Sequence, residues 1–258
     1  MKIGVALSGG GARGVAHLGV MKALDEKGIR ISHISGTSAG AIVGALYAYG
    51  YTPDEIIKII LNTSLLRSLR PALAKTGLLR IDSLYKLIIK YIPEDNFDIL
   101  KIPLTVAATE IRKGRTVYFS EGELIRPIMA SSCVPVIFRP MDYKNGLYVD
   151  GGLLNNLPVE PIKDQCDFVL GIHTNPIDED FNVNNVKTLI ERSLLMAING
   201  NTQKRKAMCD LVIEPPGLKK FAGSDWKKAR EMYDLAYQYV ISNFESFNLS
   251  GLNVSGIQ

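Results

Sequence analysis

The feature that most constrains this 258-residue chain is a succession repeated at its start: a short apolar run, a cluster of glycines, then a stretch with helical spacing. Lys2 to Leu7 turns apolar after its first residue and runs into Gly9-Gly10-Gly11, which predicts a short buried strand. Gly14 to Lys27 carries Val15, Leu18, Met21 and Leu24 at the spacing of one helix face, and Gly28 follows as its stop. Ile29 to Ile34 repeats the strand pattern, and Ala39 to Tyr49 predicts a second, very apolar helix. Thr52-Pro53-Asp54-Glu55 is a capping box with proline at the first helical position, opening a third helix through Leu61. Strand and helix alternating at this pace predict an α/β fold: three layers, α/β/α, around a mostly parallel central sheet.

Later apolar runs continue the theme. Leu104 to Thr109, Thr116 to Phe119, Leu147 to Asp150, Phe168 to Thr174 and Leu211 to Glu214 read as strands. Ile81 to Tyr91, Glu123 to Ala130, Val186 to Lys206 and Asp225 to Phe247 read as helices. No repeat and no Gly/Ser- or Pro-rich linker divides the chain, so residues 1–248 are expected to form one domain, with 249–258 a frayed tail.

Composition excludes several classes. With 47% hydrophobic and 22% charged residues the chain has the apolar mass for a core, which rules out disorder. A formal charge of +4 is too mild for a nucleic-acid footprint. Cys133, Cys166 and Cys209 are odd in number and far apart, which gives neither a disulfide framework nor zinc-ligand spacing and fits a reducing, cytoplasmic home. The apolar run Ile3 to Leu7 is too short for a signal peptide. Ile31 to Pro53 carries no formal charge, but its apolar part is only Ala39 to Tyr51, short of the roughly 20 residues a spanning helix needs, so a buried helix is expected.

Chemistry concentrates at three turns. Gly36-Thr37-Ser38-Ala39-Gly40 is a G-x-S-x-G between a predicted strand and a predicted helix. There a serine hydroxyl is held out of the sheet beside unpaired helix N–H groups. The alternative is a serine that merely caps the helix. Gly9-Gly10-Gly11-Ala12-Arg13-Gly14 also joins a strand to a helix and admits three readings. As a dinucleotide turn it needs an acid at the end of the second strand, where Ser35-Gly36-Thr37-Ser38 stands instead. As a P-loop it needs Lys-Ser/Thr after Gly14, where Val15-Ala16 stands. As an oxyanion hole for an acyl enzyme it fits the nearby serine. A base for that serine has two candidates: His173, and Asp150, which opens the turn Asp150-Gly151-Gly152. His17 and His33 fall inside predicted elements, and Asp150 could equally serve only its own turn.

Taken together these blocks resemble the patatin-like phospholipase family, which includes plant patatins, bacterial patatin-like proteins and the catalytic part of neuropathy target esterase. The resemblance rests on Ala6 to Gly14, on Gly36 to Gly40 and on Asp150-Gly151-Gly152. Ala130-Ser131-Ser132-Cys133-Val134-Pro135 and Asn155-Asn156-x-Pro158 support it, and it spans about Lys2 to Asn175. It implies a serine hydrolase of fatty-acyl esters, of phospholipids or lysophospholipids, acting through a Ser–Asp dyad without histidine. Ser38 would be the nucleophile, Asp150 the base, and the N–H groups of Gly9, Gly10 and Gly11 the oxyanion hole. Arg13 would shape the loop and hold a headgroup or the Asp150 region, with Gly14, Gly36, Gly40, Gly151 and Gly152 in support. No metal or organic cofactor is implied.

Two rivals remain at this level: a lipid-binding protein without turnover, and a dinucleotide-dependent oxidoreductase using Gly9 to Gly14. Between Glu55 and Asp82, Lys58, Arg67, Arg70, Lys75 and Arg80 interleave with leucines and no acid. Such a segment suits peripheral contact with a membrane, a lid, or a solvated cap.

Overall fold

The computed structural model describes residues 1–62, 81–135, 137–179, 181–182 and 185–249. In chain order these form β1 (Ile3–Leu7), a 3₁₀ turn (Gly11–Val15), α1 (Ala16–Glu26), β2 (Ile31–Thr37), α2 (Ala39–Tyr49), α3 (Pro53–Asn62) and α4 (Asp82–Tyr91). There follow β3 (Leu104–Glu110), β4 (Arg115–Phe119), α5 (Ile125–Ser131), β5 (Met141–Tyr143), β6 (Gly146–Asp150) and α6 (Glu160–Lys163). Last come β7 (Phe168–Ile172), α7 (Val186–Lys206), β8 (Leu211–Ile213) and α8 (Ala229–Asn243).

The strands join one eight-stranded mixed sheet. β3, β2, β1, β7 and β8 are parallel neighbours, the block that the alternating sequence predicts. β4, β6 and β5 add an antiparallel part, β4 and β6 both against β3. Helices cover both faces, and β1 shows how. Ile3, Val5 and Leu7 belong to the large core beneath α1, α2 and α8, which runs on to Leu249. Ala6 belongs to a smaller core with Leu157, Val159, Ile162 and Val169 on the opposite face. Period-two alternation in a strand buried on both sides thus feeds two cores, and the small residues Gly4 and Ala6 let α6 approach closely. Among the described residues no helix is long and apolar enough to cross a membrane.

The antiparallel part places the site. Val106 and Ala107 pair with β2 on one edge and β4 on the other; Ala108, Thr109 and Glu110 pair with β4 and β6. A strand has two edges and β4 fills one, so β2 and β6 share the other. They run toward each other along it: Thr37 sits opposite Ala107 and Asp150 opposite Ala108. Ser38 and Asp150 are brought together at the point where two strands end head to head.

Several boundaries differ from the sequence reading for physical reasons. β2 runs three residues beyond Ile34 because the hydroxyls of Ser35 and Thr37 are satisfied inside, donating to the carbonyls of Pro158 and Asn155. β5 and α6, of three and four residues, are too short for periodicity to register. Gly11 to Val15 form a separate 3₁₀ turn ahead of α1, and the last long helix is split by 3₁₀ turns at each end of α8. Lys58 is exposed on α3, whereas Arg67, Arg70, Lys75 and Arg80 lie outside the described residues.

α1 packs along α8 at unusually short range. A Cβ placed on Gly19 would lie 2.2 Å from the Tyr233 carbonyl oxygen and 2.8 Å from the Tyr237 nitrogen, both rigid backbone atoms. Alanine would gain up to about 1 kcal/mol of helix propensity there, but forcing the helices apart costs about 1–3 kcal/mol or more. The clash wins: Gly19→Ala is expected to lower the melting temperature by several degrees in a calorimetric scan. An unchanged or raised value would show that α1 can slide off α8 at no cost.

Candidate active site

Ser38 stands at the junction of β2 and α2 with φ 52° and ψ −121°. A side chain in this region is strained by about 1–3 kcal/mol, and only surroundings that over-determine the turn keep it there. Ser131 supplies one restraint. Its Oγ accepts the Ser38 N–H at 2.8 Å and donates to the Ala107 carbonyl at 2.6 Å, tying the turn to β3. The Ser38 carbonyl in turn accepts from Ala41 (2.9 Å) and Ile42 (3.1 Å) as α2 begins. The two glycines are needed for close approach. A Cβ on Gly36 would lie 2.7 Å from the Ala41 nitrogen, and one on Gly40 would lie 2.4 Å from the Leu7 carbonyl oxygen.

Asp150 ends β6. One carboxylate oxygen accepts the Gly152 N–H at 2.7 Å, so it does form the Asp-Gly turn, and the Ser38 side chain stands close enough to favour the charged carboxylate. Both groups are nearly closed to water, Ser38 8% and Asp150 7% exposed. Burial raises the Asp150 carboxyl to about 6, against the opposing pull of Ser38 and the Gly152 N–H. Gly151 lies tight over β3, where a Cβ would come within 2.2 Å of the Ala107 carbonyl oxygen.

The three glycines of the first turn do not stand alike. Gly9 borders Ser38, since a Cβ there would lie 3.2 Å from that of Ser38, but its N–H donates to the Asn156 carbonyl at 3.2 Å and is spent. The N–H groups of Gly10 and Gly11 have no acceptor among the described residues. The Gly9 carbonyl is held by Thr174 Oγ1 and Asn175 Nδ2, and the Gly10 carbonyl accepts from Arg13 at 3.2 Å. Gly11, at φ 56°, lies under the Gly223 carbonyl, which accepts the Ala12 N–H at 2.8 Å. Gly14 packs against Ala39 at the start of α2 and leaves no room for a side chain.

Arg13 takes a different place from the one expected of it. It is buried beneath the turn, where burial lowers its guanidinium to about 10, and Asp225, not Asp150, is the acid that opposes this. Buried there, it does not present itself to a headgroup. His173, the rival base, is buried with Nδ1 2.6 Å from Glu214 Oε1. His17 lies in α1, its Nε2 2.7 Å from the Ser8 carbonyl; that nitrogen must be the donor, because a carbonyl only accepts. No group of three or more His, Cys, Asp or Glu side chains gathers among the described residues to hold a metal ion.

Some functional contacts were not assigned from sequence. Ser131 and Asn155-Asn156 were singled out as motif residues, yet nothing in their spacing showed that they clamp Ser38, Thr37 and Gly9. Thr174 and Asn175 carried no motif signal beyond closing a strand.

Two stability effects follow. Ser38→Gly removes the strain at φ 52° and is expected to raise the melting temperature; a lower one would show that the serine contributes more through its side chain than its backbone costs. Asp150, raised to about 6 from an ordinary carboxylate value of 3.8, costs stability as pH climbs through that window, by roughly 3 kcal/mol at neutral pH. Asp150→Asn is therefore expected to raise the melting temperature at pH 7.5 and to lose that advantage at pH 4. Equal shifts at both pH values would contradict a buried charge.

Comparison with known proteins shows the family of the chain. The patatin-like phospholipase family model matches residues 5–163, more than half of the chain and all of the Ser38, Asp150 and glycine-turn segments. An uncharacterised NTE family protein of Mycobacterium bovis is 35% identical over 178 residues, covering 67% of this chain and 49% of its own length. A protein named lysophospholipase NTE1 from Kluyveromyces lactis is 28% identical, covering 92% of this chain and 19% of its own. The chain thus spans about half or less of the length of these relatives. Among solved structures, VipD from Legionella pneumophila matches 95% of this chain and 67% of its own, with a TM-score of 0.56 at 16% identity, a likeness of fold. The chain belongs to the patatin-like phospholipase family.

Proposed function

We propose that this chain hydrolyses fatty-acyl esters of phospholipids or lysophospholipids, with Ser38 as nucleophile and Asp150 as its base. The observation that carries the reading is the burial of the strained Ser38 next to the Asp150 carboxylate. The glycine turn that borders Ser38 adds the N–H groups of Gly10 and Gly11, which have no acceptor among the described residues. The family supports an ester hydrolase, and the relatives named lysophospholipases support the substrate class.

The chemistry follows from the geometry. Ser38 Oγ attacks the ester carbonyl carbon as its proton passes to Asp150, and the carbonyl oxygen becomes an oxyanion. The N–H groups of Gly10 and Gly11 receive that charge in a site from which water is largely excluded. The tetrahedral intermediate collapses, the ester C–O bond breaks, and Asp150 returns the proton to the departing alcohol. Water then adds to the acyl-Ser38 carbonyl with Asp150 again taking a proton, and the fatty acid leaves as Ser38 is restored. A carboxyl near 6 is ionised at neutral pH yet more basic than an ordinary aspartate, which suits both transfers. Gly9 is left out of the oxyanion role because its N–H is already engaged by Asn156.

Intact-mass analysis after exposure to a fluorophosphonate, with peptide mapping and with or without mixed micelles, tests this directly. A single adduct on Ser38 is expected, absent in Ser38→Ala. Asp150→Asn is expected to slow labelling and turnover of a lysophospholipid by about 10²–10⁴-fold. Labelling at another residue, or normal turnover in Asp150→Asn, would overturn the assignment.

A further inference from the structure

Two side chains just past β7, beyond the residues matched by the family model, grip the glycine turn from behind. Thr174 and Asn175 are buried, 0% and 3% exposed. Thr174 Oγ1 donates to the Gly9 carbonyl at 3.4 Å and Asn175 Nδ2 donates to the same oxygen. The Thr174 N–H donates to Ser8 Oγ at 3.0 Å, and the Asn175 carbonyl is fixed in turn by Asn199 Nδ2 at 3.2 Å. Gly10 closes onto them: a Cβ there would lie 2.4 Å from Thr174 Oγ1 and 3.4 Å from Asn175 Oδ1.

The consequence is directional. In a trans peptide the carbonyl and the N–H point opposite ways. Two donors on the Gly9 carbonyl therefore set where the Gly10 N–H points, which is away from Thr174 and Asn175. Glycine has no side chain to resist rotation of this peptide, so without the two donors it would be free to turn. We infer that Thr174 and Asn175 are positioning residues that aim the Gly10 N–H at the oxyanion, an inference that rests on Ser38 being the nucleophile. Neither touches substrate; both act through the Gly9–Gly10 peptide. Asn175 is itself braced by α7, through Asn199.

The test uses the whole chain and a soluble aryl ester, with active sites titrated by fluorophosphonate. Asn175→Ala is expected to lower kcat by about 10–100-fold, because losing or misaiming an oxyanion donor costs on that order, with KM within about twofold. Affinity for a trifluoromethyl ketone, whose adduct carries the oxyanion, is expected to fall by the same factor as kcat/KM. A purely structural role would lower the melting temperature and leave kcat per titrated site and ketone affinity unchanged, and that result overturns the inference. Should Asn175→Ala fail to fold, Thr174 decides: Thr174→Ser is expected near wild type and Thr174→Val well below it, and equality of the two overturns it. Wild-type protein inert to the probe would sink the Ser38 reading itself, visible before any variant of Thr174 or Asn175 is made.

Discussion

Along one edge of β3 two strands run toward each other and stop, β2 at Thr37 opposite Ala107 and β6 at Asp150 opposite Ala108. A shared edge can hold two opposed strands only if both end where they meet, and a chain that ends a strand must leave the sheet there. Ser38 leaves into α2 and Asp150 into the Gly151-Gly152 turn, so the two polar side chains arrive at one place from residues 112 positions apart in sequence. The rest of the site is built on this junction. Ser131 ties Ser38 to the Ala107 carbonyl, Gly151 lies over the same carbonyl, and Asn155 and Asn156 carry the chain back across Thr37 and Gly9.

The junction works against stability in two ways. A serine is held in a left-handed backbone region, and a carboxylate is kept almost dry. Either would relax if the surroundings allowed it, which is why so many backbone contacts converge there. The offset comes from cores on both faces of the sheet, the larger of them reaching from Ile3 to Leu249. Strain and desolvation concentrated at one junction and supported by a sheet are the usual physical marks of a reactive group made ready before its substrate arrives.

How much of this was legible beforehand depended on whether a residue's role was local. The β-α-β-α start was readable because glycine turns and apolar spacing act within a few residues, and β1, α1, α2 and α3 stand close to where that reading put them. The motif at Ser38 was readable because its glycines answer a local steric demand. Long-range relations were not. Nothing in Leu147 to Asp150 told that β6 would run antiparallel and butt against β2. The strand pattern was read only to Ile34, because the partners that satisfy Ser35 and Thr37 lie far along the chain. Arg13 was expected to hold a headgroup or the Asp150 region; it is buried, and the acid that acts on it is Asp225, next to the Gly223 loop that closes over the turn from far downstream. Asn175 gave no sign at all; its function lies in orienting a peptide 166 residues away.

The central claim is that the proton of Ser38 passes straight to Asp150 with no histidine between them. The pH dependence of the fluorophosphonate labelling rate tests it most directly, run on the wild type and on His17→Gln and His173→Gln. One ionisation near pH 6 is expected, with the rate falling tenfold per pH unit below it, flat above it, and its midpoint unmoved in either histidine variant. A midpoint that shifts or disappears when His173 is replaced would contradict the direct transfer and hand the role of base to the histidine.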